Sequence, residues 1–343
     1  MAQPTLRQIA AACGVNHSTV SRALNDSSRI PSATRDRIVE IARRMGWQPN
    51  PLASAYMAHL RSTHPPSFKA TLGFLIDVPN LKDLNSLPGH VQFHLDGARA
   101  RAATYGYTIH VANLGEPGMT PRLADQAFRN RNVPGIIISS LDTKARLRHI
   151  AWRRYAAVML GSPIAYPDLH RVQSATHRGF LMTINRAFEL GYERVAVVVS
   201  EAYDRQTDHG VLFPVAYARD RLRPGRSLNV LAVSPADEHN RDRVCDWLRE
   251  IKPDLIIGTD LAMAAVMELG WQVPRDIAFA SVDRSPGFPH MAGFDQRHDL
   301  FGAVGIDLLV SQINSNERDI PANPILHLIH GRWADGASVP PRN

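Results

Sequence analysis

Cysteine is nearly absent: Cys13 and Cys245 are the only two in 343 residues. Two thiols so far apart supply neither a disulfide framework nor a four-ligand zinc site. Long hydrophobic runs are lacking as well, and no stretch approaches the roughly 18 uninterrupted apolar residues of a membrane span. Residues 1–10 carry no apolar segment of signal-peptide type, so the chain reads as a cytoplasmic protein with no membrane partner. The locally spaced catalytic signatures are missing too. There is no Gly-rich phosphate loop, no Gly-x-Gly-x-x-Gly turn, no Gly-x-Ser-x-Gly elbow and no His-Glu-x-x-His helix. Serine, histidine and aspartate are scattered without a spacing that would activate one of them, which points away from an enzyme and implies neither cofactor nor metal.

Acidic residues are scarce at the N-terminus. Residues 1–61 hold Arg7, Arg22, Arg29, Arg35, Arg37, Arg43, Arg44 and Arg61 against Asp26, Asp36 and Glu40, so most of the formal net charge of +7 lies there. A compact basic unit suits a phosphate backbone, whose neutralisation releases counterions and gives affinity without regard to sequence. Thr5 to Gln8 fits a capping box opening a helix at Leu6. Leu6, Ile9, Ala10 and Cys13 form one apolar stripe, and Gly14 permits the left-handed turn that ends it. Asn16 suits the cap of a second helix over 17–25 with Val20, Ala23 and Leu24 inward. A third is predicted over 32–45, capped by Ser32, with Ile38, Ile41, Ala42 and Met45 as its stripe and Gly46 as terminator.

Two helices joined by a tight glycine turn form the helix-turn-helix arrangement, which lays its second helix in the major groove. The outer face of that helix carries His17 and Ser18 as adaptable hydrogen-bonding groups and Arg22 as a bidentate partner for guanine. Thr19, Ser21, Asn25 and Thr34 suit phosphates, as do Thr5 and Asn50 beside them. The competing reading of these helices is a dimerisation bundle with Arg22 as a solvated charge. Residues 50–59 open on Asn50-Pro51, a cap and a first-turn proline, and encode a helix too short to persist alone in water. Residues 62–67 are polar and proline-stiffened, a linker.

From residue 71 the pattern changes. Apolar runs at 72–78, 107–114, 135–140, 156–160, 195–200, 229–233, 255–258 and 277–282 alternate with helical stretches, which is the look of buried parallel strands in doubly wound sheets. That is too many units for one ordinary open sheet, so two lobes with a cleft between them are expected. Ligands in such folds sit at the carboxyl ends of the strands. The stretch after the first strand looks like a long loop carrying His90 and His94, both able to face the cleft. As an i, i+4 metal pair the two have a weak claim.

The first fifty residues resemble the lactose-repressor (LacI/GalR) family. The resemblance rests on residues 5–10, 14–25, Thr34-Arg35 and 46–50, and more loosely on Gly97, Gly106-Tyr107, 133–137, 191–195, 274–278 and 301–304. It implies an all-α helix-turn-helix headpiece (1–49), a hinge helix and linker (50–69), and a two-lobed α/β domain like the periplasmic binding proteins (70–330). The N-lobe would hold about 71–162 plus 292–320, and the C-lobe about 163–291 plus 321–343, with three crossings. It further implies a regulator, commonly a repressor, whose homodimer binds a pseudo-palindromic operator and answers to a small molecule, usually a carbohydrate. His17, Ser18 and Arg22 then read bases, while Thr19, Ser21, Asn25 and Thr34 lie along the backbone. In the minor groove Tyr56, followed by Met57, stands where the family has a leucine wedge, near Ala53. Asp283 and Gln296 match effector positions. His209 stands where the family places an arginine, and Arg205 is the nearest replacement for it. The C-terminus carries no leucine heptads, which leaves a dimer as the expected assembly. The alternative from another class is a sensor-fold enzyme or solute-binding protein with a basic head not used on DNA.

Replacing Arg22 with Ala is expected to weaken operator binding by about 1 to 3 kcal/mol and to relax preference at one base position. Selection of binding sites from random duplex measures this, and an unchanged preference removes the role.

Overall fold

The computed structural model describes residues 4–24, 30–47, 68–139, 147–161, 166–234, 239–284 and 290–342. The N-terminal unit is three helices, α1 (Leu6–Cys13), α2 (His17–Leu24) and α3 (Ser32–Arg44). Thr5 and Gln8 form the capping box, with the Gln8 amide donating to the Thr5 hydroxyl at 3.3 Å and the Thr5 amide to the Gln8 side chain at 2.8 Å. Gly14 takes the left-handed conformation (φ +66°) that lets α2 turn back over α1. Ile9, Ala10, Cys13, Val20, Ala23, Ile38 and Ala42 make one small core. The Arg37 guanidinium donates to the Cys13 carbonyl, tying α3 to the electron-rich end of α1. Two details differ from the sequence pattern. Pro31 precedes the first turn of α3 in place of a side-chain cap from Ser32. Met45 is exposed, and the half-buried Trp47 packs against the core just past the Gly46 turn.

Two six-stranded sheets follow. The first contains β1 (Ala70–Ile76), β2 (Tyr107–Asn113), β3 (Gly135–Ser139), β4 (Ala156–Leu160), β5 (His170–Ser174) and β11 (Leu326–Ile329), in the order β11-β5-β4-β3-β1-β2, all parallel. The second contains β6 (Arg194–Ser200), β7 (Ser227–Val233), β8 (Leu255–Gly258), β9 (Ala278–Ser281), β10 (Ala292–Asp295) and β12 (Arg332–Ala334), in the order β12-β10-β9-β8-β6-β7, with β12 antiparallel at its edge. Helices α4 (Gly89–Thr104), α5 (Pro121–Asn130) and α11 (His298–Ser315) cover the first sheet. Helices α6 (Thr176–Glu189), α7 (Glu201–Gln206), α8 (Leu212–Arg219), α9 (Asn240–Ile251) and α10 (Asp260–Glu268) belong to the second. Each sheet is buried on both faces, as parallel sheets require.

The chain passes between the sheets three times, after β5, after β10 and after β11. The lobe limits expected near 162, 292 and 320 therefore move. Residues 170–174 extend the first sheet, 292–295 the second, and 326–329 return to the first. These strands are only four or five residues long, and 170–174 is mostly polar, so their pattern is weak. His90 and His94 also lie on a helix, α4, and not in the loop before it.

Helices α4 and α11 meet backbone to backbone. A Cβ placed on Gly302 would lie 1.9 Å from the His94 carbonyl oxygen, and one on Gly97 would lie 2.5 Å from the Asp299 carbonyl oxygen. No side chain fits at either point, and this crossing sets where His94 and His298 stand. Gly302→Ala should cost about 1 to 3 kcal/mol by forcing the helices apart. Urea unfolding measures it, and a loss below about 0.5 kcal/mol would mean that the crossing gives way freely.

Candidate functional site

On the N-terminal unit, His17 and Ser18 are exposed at the start of α2, and Thr19 is half-buried behind them. Val20 and Ala23 hold the opposite face in the core. Positions 21 and 22 lie on the same helix, but the side chains of Ser21 and Arg22 lie outside what the structure describes. Asn25, Asn50, Ala53, Tyr56 and Met57 lie outside the described residues. Thr5 is exposed and caps α1, and Thr34 is half-buried in the first turn of α3.

A cavity of about 390 Å³ lies between the two sheets at the carboxyl ends of their strands. Gly161 follows β4, Ser174 ends β5, Asp283 follows β9 and Gln296 follows β10. Helix α4 adds His90 and His94, and the first turn of α11 adds His298 and Phe301. Three imidazoles thus converge, with ring centroids 5.2 to 6.0 Å apart.

Their hydrogen bonds form one continuous line. Asp283 Oδ1 lies 3.0 Å from His298 Nε2, His298 Nδ1 lies 3.1 Å from His94 Nε2, and His94 Nδ1 lies 2.9 Å from Ser139 Oγ. A carboxylate only accepts, so His298 Nε2 donates to Asp283. Asp283 belongs to the second sheet's end and His298 to a helix packed on the first, so this line bridges the lobes. Phe301 stacks on His94 with centroids 4.9 Å apart and planes 9° from parallel. Burial, followed by the neighbouring His298 and His90 rings, holds the His94 imidazole well below the usual histidine range.

Gln296 is buried. Its amide nitrogen donates to the Tyr203 hydroxyl at 3.0 Å and to the Val282 carbonyl at 3.2 Å. Burial pushes the Tyr203 phenol far above its ordinary range, so it stays a neutral hydroxyl. Gln173 Oε1 and Ser174 Oγ are buried in the wall without hydrogen-bond partners. No described lysine or arginine lines the cavity. Such a wall offers hydrogen bonds to hydroxyl groups and little to neutralise an anion. Among the described residues no group of three His, Cys, Asp or Glu is arranged to hold a metal, the histidine trio included.

Of the five effector residues expected, His90, Asp283 and Gln296 line this cavity. Arg205 does not. It pairs with Glu201 one turn earlier on α7, and its side chain is 60% exposed. His209 stands apart as well, with Nδ1 2.8 Å from Asp204 Oδ2 in a left-handed turn. The buried Asp204 carboxylate also accepts from the Val211 and Leu212 amides, fixing the loop between α7 and α8. His209 is thus the outer ligand of a turn-organising aspartate, no substitute for a guanidinium fork. Sequence reading missed Gln173, Ser174, Thr176, Tyr203 and His298. Only their position at strand ends or at a crossing could have signalled them.

Residues 5–50 match the family described as bacterial regulatory proteins, lacI family. The HTH-type transcriptional regulator CelR of Thermobifida fusca is 24% identical over 333 residues, spanning 91% of this chain and 92% of the relative. The ribose operon repressor of Halalkalibacterium halodurans is 22% identical over 341 residues, spanning 92% of each. Among solved structures, a CelR–cellobiose complex superposes with a TM-score of 0.59 at 20% identity, covering 98% of this chain and 99% of that one. The lac repressor dimer bound to operator and the anti-inducer ONPF superposes with a TM-score of 0.56 at 17% identity, covering 99% and 100%. These structures share the fold: a helical head on a two-lobed α/β body.

The depressed His94 pKa carries a sign. Below about pH 6.5 an unfolded histidine takes up a proton that folded His94 refuses, so the stability present above that pH is lost as pH falls toward the folded value. Wild type should lose up to about 1.4 kcal/mol per pH unit more than His94→Gln across that window. Urea unfolding from pH 7.5 to 5.0 measures it, and parallel curves would deny His94 its buried neutral state.

Proposed function

As a transcription regulator of the lacI family, this chain acts, we propose, as a homodimer on a pseudo-palindromic operator and answers to an uncharged carbohydrate held between its lobes. The observation that carries the reading is the pairing of two parts in one chain. A basic three-helix unit presents the polar start of α2 to solvent. A polar cavity without a described lysine or arginine lies where lobe movement alters its walls. Two-fold symmetry places one α2 in each half-site, with His17, Ser18 and Arg22 at base edges. Thr5, Thr19, Ser21, Asn25, Thr34 and Asn50 line the backbone, and the hinge segment around Ala53, Tyr56 and Met57 enters the central minor groove, where an aromatic or apolar side chain unstacks a base step. Where the operator overlaps a promoter, its occupancy excludes other proteins, and the chain is then a repressor.

In the cleft, His90, Asp283 and Gln296 hold sugar hydroxyls, with Gln173 and Ser174 supplying further partners. The sugar's differential affinity for the two lobe arrangements sets operator affinity. A carbohydrate is in keeping with one neighbouring structure, a complex with cellobiose, and with one relative named for the ribose operon.

Selection from random duplex by the full chain, with and without a panel of neutral sugars, sugar phosphates and uronates, tests both halves. A pseudo-palindrome should be enriched, and its affinity should fall about 10³- to 10⁵-fold between 50 and 200 mM salt. One neutral sugar should change that affinity by roughly 5- to 150-fold while the anionic sugars do nothing. Absence of any enriched sequence defeats the DNA reading. A response confined to anionic ligands defeats the reading of the cleft.

A further inference from the structure

A second cavity, of about 420 Å³, adjoins the first. Gln173, Ser174, Thr176 and Thr207 line both, so the two meet along one wall. Their chemistry differs. Phe213 and Tyr217 stand one turn apart on α8, in the second lobe, and face the same way. Leu326 and Leu328 occupy alternate positions on β11, in the first lobe, and share the face opposite. These four are exposed by 41 to 68%. Arg221 lies over the Tyr217 ring at 4.0 Å and His209 beside Phe213 at 5.3 Å, so both rings are held in place.

Two independent observations point to a bound molecule over these side chains. A sheet edge ordinarily carries charge or proline toward solvent, whereas β11 turns leucines outward at the cleft mouth while Ile329 packs into the core. At the junction, Gln173 and Ser174, each 5% exposed, hold side-chain oxygens with no partner. Polar atoms buried in this way cost stability until something bonds them. We infer that the outer cavity is the second half of the effector site and takes an aromatic or ring-shaped apolar group joined to the polar head in the inner one, as in an aryl glycoside. A group at the junction bonds Gln173 and Ser174. The ring rests between Phe213 and Tyr217 on one lobe and Leu326 and Leu328 on the other, so one molecule touches both lobes twice. This rests on the inner cavity being the effector site.

Fluorescence titration of the full chain with 4-methylumbelliferone, a bare aromatic ring system, tests the apolar half alone. Calorimetry with methyl and 4-nitrophenyl glycosides of the same sugars tests the span. Tyr217→Ser and Leu328→Ser, both at exposed positions, serve as variants. Wild type should bind 4-methylumbelliferone with a dissociation constant of about 1 mM or tighter, and each variant at least about tenfold more weakly. A 4-nitrophenyl glycoside should bind about tenfold tighter than its methyl counterpart, a gain absent from both variants, which keep the methyl glycoside affinity. No binding of the bare ring, equal binding by the variants, or, where a methyl glycoside binds, no gain from the aryl group overturns the inference. So does conversion of a dimer to monomer by either variant in sedimentation, which would make the patch a face between copies. If the bare ring binds and every glycoside is silent, the apolar seat stands and the carbohydrate reading of the inner cavity falls.

Discussion

The cleft depends on a steric constraint: α4 and α11 can cross as they do only because Gly97 and Gly302 have no side chains. Helix pairs with ordinary side chains between them keep axes about 8 to 10 Å apart. Here the backbones touch, since a Cβ on Gly302 would fall on the His94 carbonyl. Close approach brings the first turn of α11 alongside the first turns of α4. Residues 204 positions apart in the chain, His94 and His298, thereby come within hydrogen-bonding distance. Phe301, one turn further along α11, closes the stack against His94 and keeps water from competing for its nitrogens.

That arrangement gives the two lobes a polar link at their mouth. Asp283 and His298 belong to different lobes, and their bond joins a line of donors and acceptors that ends on Ser139 in the first sheet. A molecule that competed with this line or extended it would favour one lobe arrangement over another, which is the physical requirement for allostery. On the opposite wall Tyr203 and Gln296 bond each other within the second lobe, where the buried phenol remains a neutral hydroxyl and a potential donor.

The headpiece was legible almost residue by residue. Its caps, stripes and turn glycine are local features, and local features are what a sequence displays. Long strands such as Arg194–Ser200 were equally plain. His170–Ser174 and Ala292–Asp295 were not, because strands of four or five residues with polar members leave no periodic trace, and the lobe limits drawn without them were misplaced. In the cleft, Asp283 and Gln296 were foreseen through family likeness. Arg205 was selected because a cation was wanted nearby, yet helix geometry sends it to Glu201. His298 carried no signal of its own, since its importance comes from a crossing of two distant helices. Gln173 and Ser174 were hidden in a strand that itself went unread.

The three passages between lobes bear on how the protein is made. The core of the first lobe includes Phe301, Ile306, Leu309 and Val310 of α11, and these leave the ribosome only after strands β6 to β10 of the second lobe have been synthesised. At typical elongation rates of about 5 to 20 residues per second, the apolar face formed by Leu72, Phe74 and Val158 waits roughly 10 to 30 seconds for its covering helix. The headpiece, whose core is contiguous in sequence, can be complete long before. A nascent chain of this protein therefore presents a finished DNA-reading head beside a half-built sensor, and it is during that interval that chaperone capture or misassembly with a neighbouring copy has its opening.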